Sequence, residues 1–127
     1  MTNRYPWIYG YLAGKPGATW DFKAEWQWTR YLLDGKLFAA VCKNREGEDW
    51  IVTLKLEPTE GELLRNTFES VFPGYYCDKR HWNSVYLDGT LPAEVLRDMC
   101  DKSYALILAK LPKYRQAEIR AKAPECP

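Results

Sequence analysis

The sequence has a single histidine, His81, and four cysteines, none of them in a C-x-x-C pair. Zinc is held by close pairs of Cys and His ligands, so no zinc site can be assembled, and no metal or cofactor is expected. No Gly-rich phosphate cradle or dinucleotide fingerprint is present. Ser84 and His81 share one strand start with no evident oxyanion donor, and Cys42 and Cys100 fall in apolar patterns where thiols are inert. An enzyme is therefore not expected. No run reaches the roughly 18 apolar residues of a membrane span. The start, Met1 to Trp7, has no signal-peptide apolar stretch. Read together with Cys42, Cys77, Cys100 and Cys126 as free thiols, this points to a cytoplasmic protein with no membrane partner. Acidic residues are missing altogether from positions 1–20.

What is present suits one compact domain over residues 1–127, with a core at about 3–113 and a basic extension at 114–127. The chain is 46% hydrophobic and 15% aromatic, enough to build a core without cross-links. Net charge is only +1, so any nucleic-acid partner must be argued from where the charges sit. Between residues 110 and 122, five cations (Lys110, Lys113, Arg115, Arg120 and Lys122) meet one acid, Glu118. Glu57, Glu60, Glu62 and Glu69 make the middle of the chain acidic. The near-neutral total hides a polarised molecule.

Trp7, Ile8, Tyr11 and Leu12 recur at helical spacing, predicting a helix over 3–14 capped by Asn3. Strand patterns follow at 19–22, 26–33, 36–43 and 50–56. Asp34-Gly35 marks one hairpin turn and 44–48 a polar tip. In the last of these strands Trp50, Val52, Leu54 and Leu56 are expected on one face. Thr59-Glu60-Gly61-Glu62 matches a capping box, predicting a helix over 60–70 that Pro73-Gly74 ends. A loop over 75–81, a strand over 82–87, a helix opening on Pro92 and a weaker helix over 113–122 complete the order. Consecutive strands on short turns, with helices before, between and after them, predict an α+β sandwich. Its antiparallel sheet has about five strands, with the helices on one face.

Lys79-Arg80-His81-Trp82-Asn83 gathers cationic, planar and amide side chains at the mouth of a strand, a composition suited to phosphates and base edges. Lys79 and Arg80 would pair with phosphates, Asn83 would reach a base edge or phosphate, and Trp82 would stack on a base. The alternative is that Trp82 is core, His81 caps a backbone group and Asn83 fixes the loop. Lys36, Lys43 and Arg45 flank the hairpin turns and as wings would straddle a duplex. Glu46, Glu48 and Asp49 beside them favour plain solvated charge instead. Trp20, Trp26, Trp28 and Trp50 fit either a flat-ligand pocket or an aromatic core.

The motifs His81-Trp82-Asn83, Val85-Tyr86-Leu87-Asp88-Gly89, Leu91-Pro92, Ser103-Tyr104 and Leu111-Pro112, within a run from Lys15 to Lys113, resemble the MmcQ/YjbR family of bacterial proteins. The resemblance implies a frataxin-type, CyaY-like α+β fold, also described as a double-wing fold, and with it DNA binding. Lys23-Ala24-Glu25 departs from the family's Pro- or Gly-containing run, and Tyr75-Tyr76-Cys77-Asp78 departs from its usual loop. Frataxin-type iron binding uses an acidic first helix, which the acid-free residues 1–20 argue against. The expectation is a monomeric, non-enzymatic protein that binds double-stranded DNA. A small aromatic ligand or a protein partner docked on a sheet edge is the alternative.

Overall fold

The structure, a computed structural model, describes residues 3–74 and 78–121. The expectations resting on Tyr75, Tyr76, Cys77, Lys122 and Cys126 lie outside the described residues. The elements run α1 (Ile8–Ala13), β1 (Ala18–Lys23), β2 (Trp28–Leu33), β3 (Lys36–Lys43), β4 (Asp49–Lys55), α2 (Pro58–Thr67), β5 (Val71–Pro73), β6 (Trp82–Tyr86), α3 (Ala93–Ala109) and α4 (Lys113–Ala121). The strands form one sheet in the order β1-β2-β3-β4-β6-β5, antiparallel throughout. The α+β class holds, with six strands rather than five. The extra strand is the short edge β5, where Pro73 can serve because its missing N–H has no inner neighbour to satisfy.

Local chemistry explains the boundaries. Asp34 (φ 48°) and Gly35 (φ 79°) both adopt left-handed backbone, as a two-residue hairpin turn requires. No capping box forms at Thr59. Pro58 opens α2 two residues earlier with Glu57 as cap, because proline's preset φ suits a first helical turn. Likewise α1 starts only at Ile8. Asn3 instead accepts a hydrogen bond from Tyr5 N–H (2.8 Å) in a turn before the helix.

The helices contribute their apolar residues to one face of the sheet. Ile8, Leu12, Leu96, Met99 and Ile119 from helices meet Leu33, Val41, Val52, Leu54 and Val85 from strands in the main core. Ser103 on α3 stitches the two layers together: its hydroxyl donates to Phe38 C=O on β3 and accepts from Lys55 N–H on β4. Tyr104 O–H reaches Pro16 C=O (2.6 Å), and Tyr5 O–H reaches Leu91 C=O (2.7 Å).

The opposite face carries a smaller cluster of Trp28, Ala40, Cys42 and Ile51, overlaid by Leu37, Trp50, Phe72 and Tyr86. Trp50 therefore belongs here, not with Val52 and Leu54. The register shift between Cys42 and Lys43 breaks the strict alternation at the start of β4. Beneath the aromatics, Thr53 and Ser84 share a buried hydroxyl contact across β4 and β6 (2.9 Å).

Candidate nucleic-acid interface

Antiparallel pairing puts the start of β3, the end of β4 and the start of β6 at one end of the sheet. Lys36 opens β3, Lys55 closes β4, and residues 78–81 lead into β6. The Arg115 guanidinium grips Asp34 with two hydrogen bonds (2.8 and 2.9 Å), which brings the start of α4 to the same end. Lys110, the C-cap of α3, and Lys113, the first residue of α4, arrive with it.

The loop is built around Asp78. One carboxylate oxygen accepts from Arg80 N–H (2.9 Å), the other bonds His81 Nδ1 (2.8 Å), and Asp78 C=O accepts from Trp82 N–H (2.9 Å). His81, followed by the Arg80 N–H, holds the Asp78 carboxyl below the usual carboxylate range. His81 C=O in turn accepts from Leu56 N–H (2.8 Å), fastening the loop to the end of β4. Lys79 and Arg80 are exposed at its crest and have no carboxylate partner among the described residues.

Asn83 is not at the surface. It is fully buried, facing α2, where it accepts from Arg65 and donates to His81 C=O (3.2 Å). A Cβ at Gly61 would come within 2.9 Å of Asn83 Oδ1, so the glycine is what lets α2 close over this amide. Asn83 thus supports the loop and cannot reach a base edge. Trp82 is half-buried, opposite Lys55 across the β4–β6 ladder. It packs closely on Gly74, where a Cβ would meet Trp82 Cβ at 2.8 Å and Trp82 C=O at 3.0 Å.

Lys43 and Arg45 sit elsewhere. Lys43 closes β3, seven residues from Lys36, a separation of roughly 23 Å at 3.3 Å per residue, and Arg45 follows in the β3–β4 tip. There Lys43 pairs with Asp49 (3.0 Å), which also accepts from Tyr9 O–H. Asn44 Oδ1 organises the tip by accepting from Glu46 N–H (3.1 Å) and Glu48 N–H (2.9 Å). The structure therefore brings Lys36, Lys79, Arg80, His81 and Trp82 together and separates Lys43 and Arg45 from them.

Sequence reasoning left Lys55 out of the site. The Lys110 ammonium crowds it and, ahead of partial burial, holds its pKa below the usual lysine range. A lysine closing an alternating strand was the available signal; only the fold reveals its neighbour on α3. Among the described residues no group of three or more His, Cys, Asp or Glu side chains is placed to hold a metal. Cys42 and Cys100 are buried and form no disulfide, and burial pushes the Cys100 thiol up to about 12. No helix among the described residues is long and apolar enough to cross a membrane.

Residues 13–106 match the YjbR family model. The chain belongs to the YjbR family. It is 35% identical over 108 residues to the uncharacterized protein YjbR of Escherichia coli K12, covering 84% of this chain and 88% of that one. It is 32% identical to the uncharacterized protein YbdF of Escherichia coli O157:H7, covering 80% of each chain. Among solved structures it superposes on Deinococcus radiodurans protein DR2400, which carries a DUF419 domain. The TM-score there is 0.78 at 28% identity, over 89% of this chain and 85% of that one.

Proposed function

We propose that this YjbR-family chain is a non-enzymatic cytoplasmic protein that binds double-stranded DNA through phosphates at the cation-rich end of its sheet, with little sequence preference. The observation that carries this reading is the convergence of Lys36, Lys55, Lys79, Arg80, Lys110 and Lys113 from five separate segments, none of them ion-paired among the described residues. Like charges so gathered repel one another, as the depressed Lys55 records, and a phosphate relieves that repulsion. Trp82 beside them offers an aromatic edge for stacking where bases are open. With Asn83 buried, no amide is left in the loop to read base edges, which is why sequence tolerance is part of the proposal.

The test is an NMR titration of labelled protein with a short duplex at low and then moderate salt. Shifts should centre on Lys79, Arg80, His81 and Lys110 and fade as salt rises. Three or four phosphate contacts predict that log K falls with log salt at a slope of about −3 to −4. Absence of shifts at low salt, or shifts centred on Lys43 and Arg45, defeats the reading.

A second reading rests on a separate observation. A cleft of about 370 Å³ lies between the β1–β2 turn and the β3–β4 tip, lined by Trp26, Trp50, Gln27, Lys43 and Arg45. Two indoles beside amide and cationic groups suit a flat aromatic ligand. Saturable tryptophan quenching by such a compound, lost in Trp26→Ala, would favour this reading over DNA.

A further inference from the structure

The two edges of the sheet are unequal. One edge, β5, is three residues long and ends in Pro73, a poor template for further pairing. The other, β1, is six residues long and, among the described residues, pairs only with β2. Five large apolar side chains stand exposed among the described residues, and three of them, Trp20 (62%), Phe22 (44%) and Trp26, lie on β1 or the turn after it. A long edge strand carrying exposed aromatics is a pairing site unless something blunts it.

The backbone of β1 is oriented for such pairing. Lys43 N–H donates to Gln27 C=O (3.1 Å), so Gln27 and, by alternation, Thr29 and Tyr31 direct their backbone groups toward β3. Trp28 and Arg30 then direct theirs toward β1, where they meet Lys23 and Asp21. The N–H and C=O groups of Trp20 and Phe22 are left pointing outward.

Charge selects the partner and the register. When β1 is laid antiparallel against a copy of itself with Phe22 opposite Phe22, Asp21 of each copy falls opposite Lys23 of the other. Shifting the symmetry axis to Asp21 would set the two carboxylates directly against each other, which is unfavourable. Asp21 is already held by Arg30 with two hydrogen bonds (2.8 and 2.6 Å), so the cross-copy contact extends an existing ionic row. On the opposite face, Trp20 and Phe22 of both copies form one unbroken aromatic strip.

We infer that two copies of this chain pair through β1 in this Phe22-centred register, joining their sheets into one. This replaces the monomer expected from sequence and is independent of the DNA reading. The contact is a single strand pair, smaller than the roughly 1,200 Å² of a standard stable interface, so the dimer is weak and concentration-dependent.

Sedimentation across an about hundredfold concentration range should show a monomer–dimer equilibrium. Phe22→Lys should abolish the dimer while leaving the melting temperature of the monomer unchanged. Register is read by disulfide trapping in a Cys77→Ser, Cys126→Ser background. Phe22→Cys should cross-link to itself under mild oxidation. Trp20→Cys should not, but should cross-link to Ala24→Cys when the two are mixed. A monomer at every concentration, a dimer that survives Phe22→Lys, or self-cross-linking of Trp20→Cys in place of Phe22→Cys each overturns the inference.

Discussion

The two ends of the sheet carry similar side chains in opposite states. At the β3–β4 tip, Lys43 is tied to Asp49, Asp49 to Tyr9, and Tyr9 to Asn3, whose side-chain amide donates to the phenol oxygen (2.9 Å). At the end where β4 closes, Lys55 and Lys110 face each other, and Lys79 and Arg80 project without a carboxylate partner among the described residues. Two of the carboxylates there are already taken, Asp34 by Arg115 and Asp78 by His81, and a third, Glu57, lies near Lys55 with no ion pair among the described residues. A net charge of +1 conceals this difference entirely. Pairing, not charge content, distinguishes a structural corner from one able to attract phosphate.

The hardest blow to this contrast is Asn83→Ala. The buried amide holds His81 C=O and Arg65, and its loss leaves Arg65 without this acceptor and His81 C=O with Leu56 N–H alone beneath the cationic loop. A cost of about 1–3 kcal/mol is expected in urea unfolding. Lys79 and Arg80 amide resonances should broaden or shift even without DNA. If stability and loop resonances are unchanged, Asn83 is not the peg that holds the loop.

Charge reversal tests the contrast directly. Lys79→Glu with Arg80→Glu should weaken duplex binding more than tenfold, about 1.4 kcal/mol, and flatten its salt dependence by about two contacts. Lys43→Glu with Arg45→Glu, at the far end where Lys43 is tied to Asp49, should change affinity less than about twofold at moderate salt, where separated charges are screened. Fluorescence anisotropy on one labelled duplex measures both double variants. Equal losses from both pairs would erase the distinction between the ends.

How much of this was legible beforehand follows from which forces act locally. The Asp34-Gly35 turn, the buried run of β3 and the long amphipathic α3 were readable, because each depends on neighbours within one turn or one strand. The misreadings need distant partners. Asn83 looks like a surface reader until Gly61 and Arg65 arrive from α2, more than fifteen residues earlier in the chain. Trp50 leaves its expected face because of a register shift fixed by β3. β5 exists only because β6 offers it an edge. Lys36, Lys43 and Arg45 were grouped by composition, yet a strand of eight residues must send its two ends in opposite directions.

The tied end has its own pH signature. Burial, then the hydrogen bond to Asp49, pushes the Tyr9 phenol up to about 12 from its ordinary value near 10. A raised pKa means that the folded state prefers the protonated phenol. Its contribution to stability is complete below pH 10 and is lost as pH climbs from 10 through 12. Tyr9→Phe should therefore make the chain less stable at neutral pH yet flatten the loss between pH 10 and 12. Tyr11, raised to about 12 by burial and Asp101, adds a parallel loss and supplies the control, since Tyr9→Phe leaves it intact. Urea midpoints across that range measure both.

The smallest effect is the most specific to the free end. Lys55 carries a depressed pKa because Lys110 crowds it, so the folded state disfavours its proton. The sign is opposite to that of the tyrosine: stability is reduced while the lysine is charged and recovers as pH rises through the lowered pKa. Lys110→Gln removes the crowding and should raise stability at pH 7 by a few tenths of a kcal/mol, no more, because both ammonium groups are partly solvated. The same substitution should weaken duplex binding and lower the salt slope by about one contact. A gain in stability with a loss of affinity is the outcome expected if the lysines are held together for a phosphate. A loss of both would make Lys110 an ordinary helix cap that steadies the C-terminus of α3.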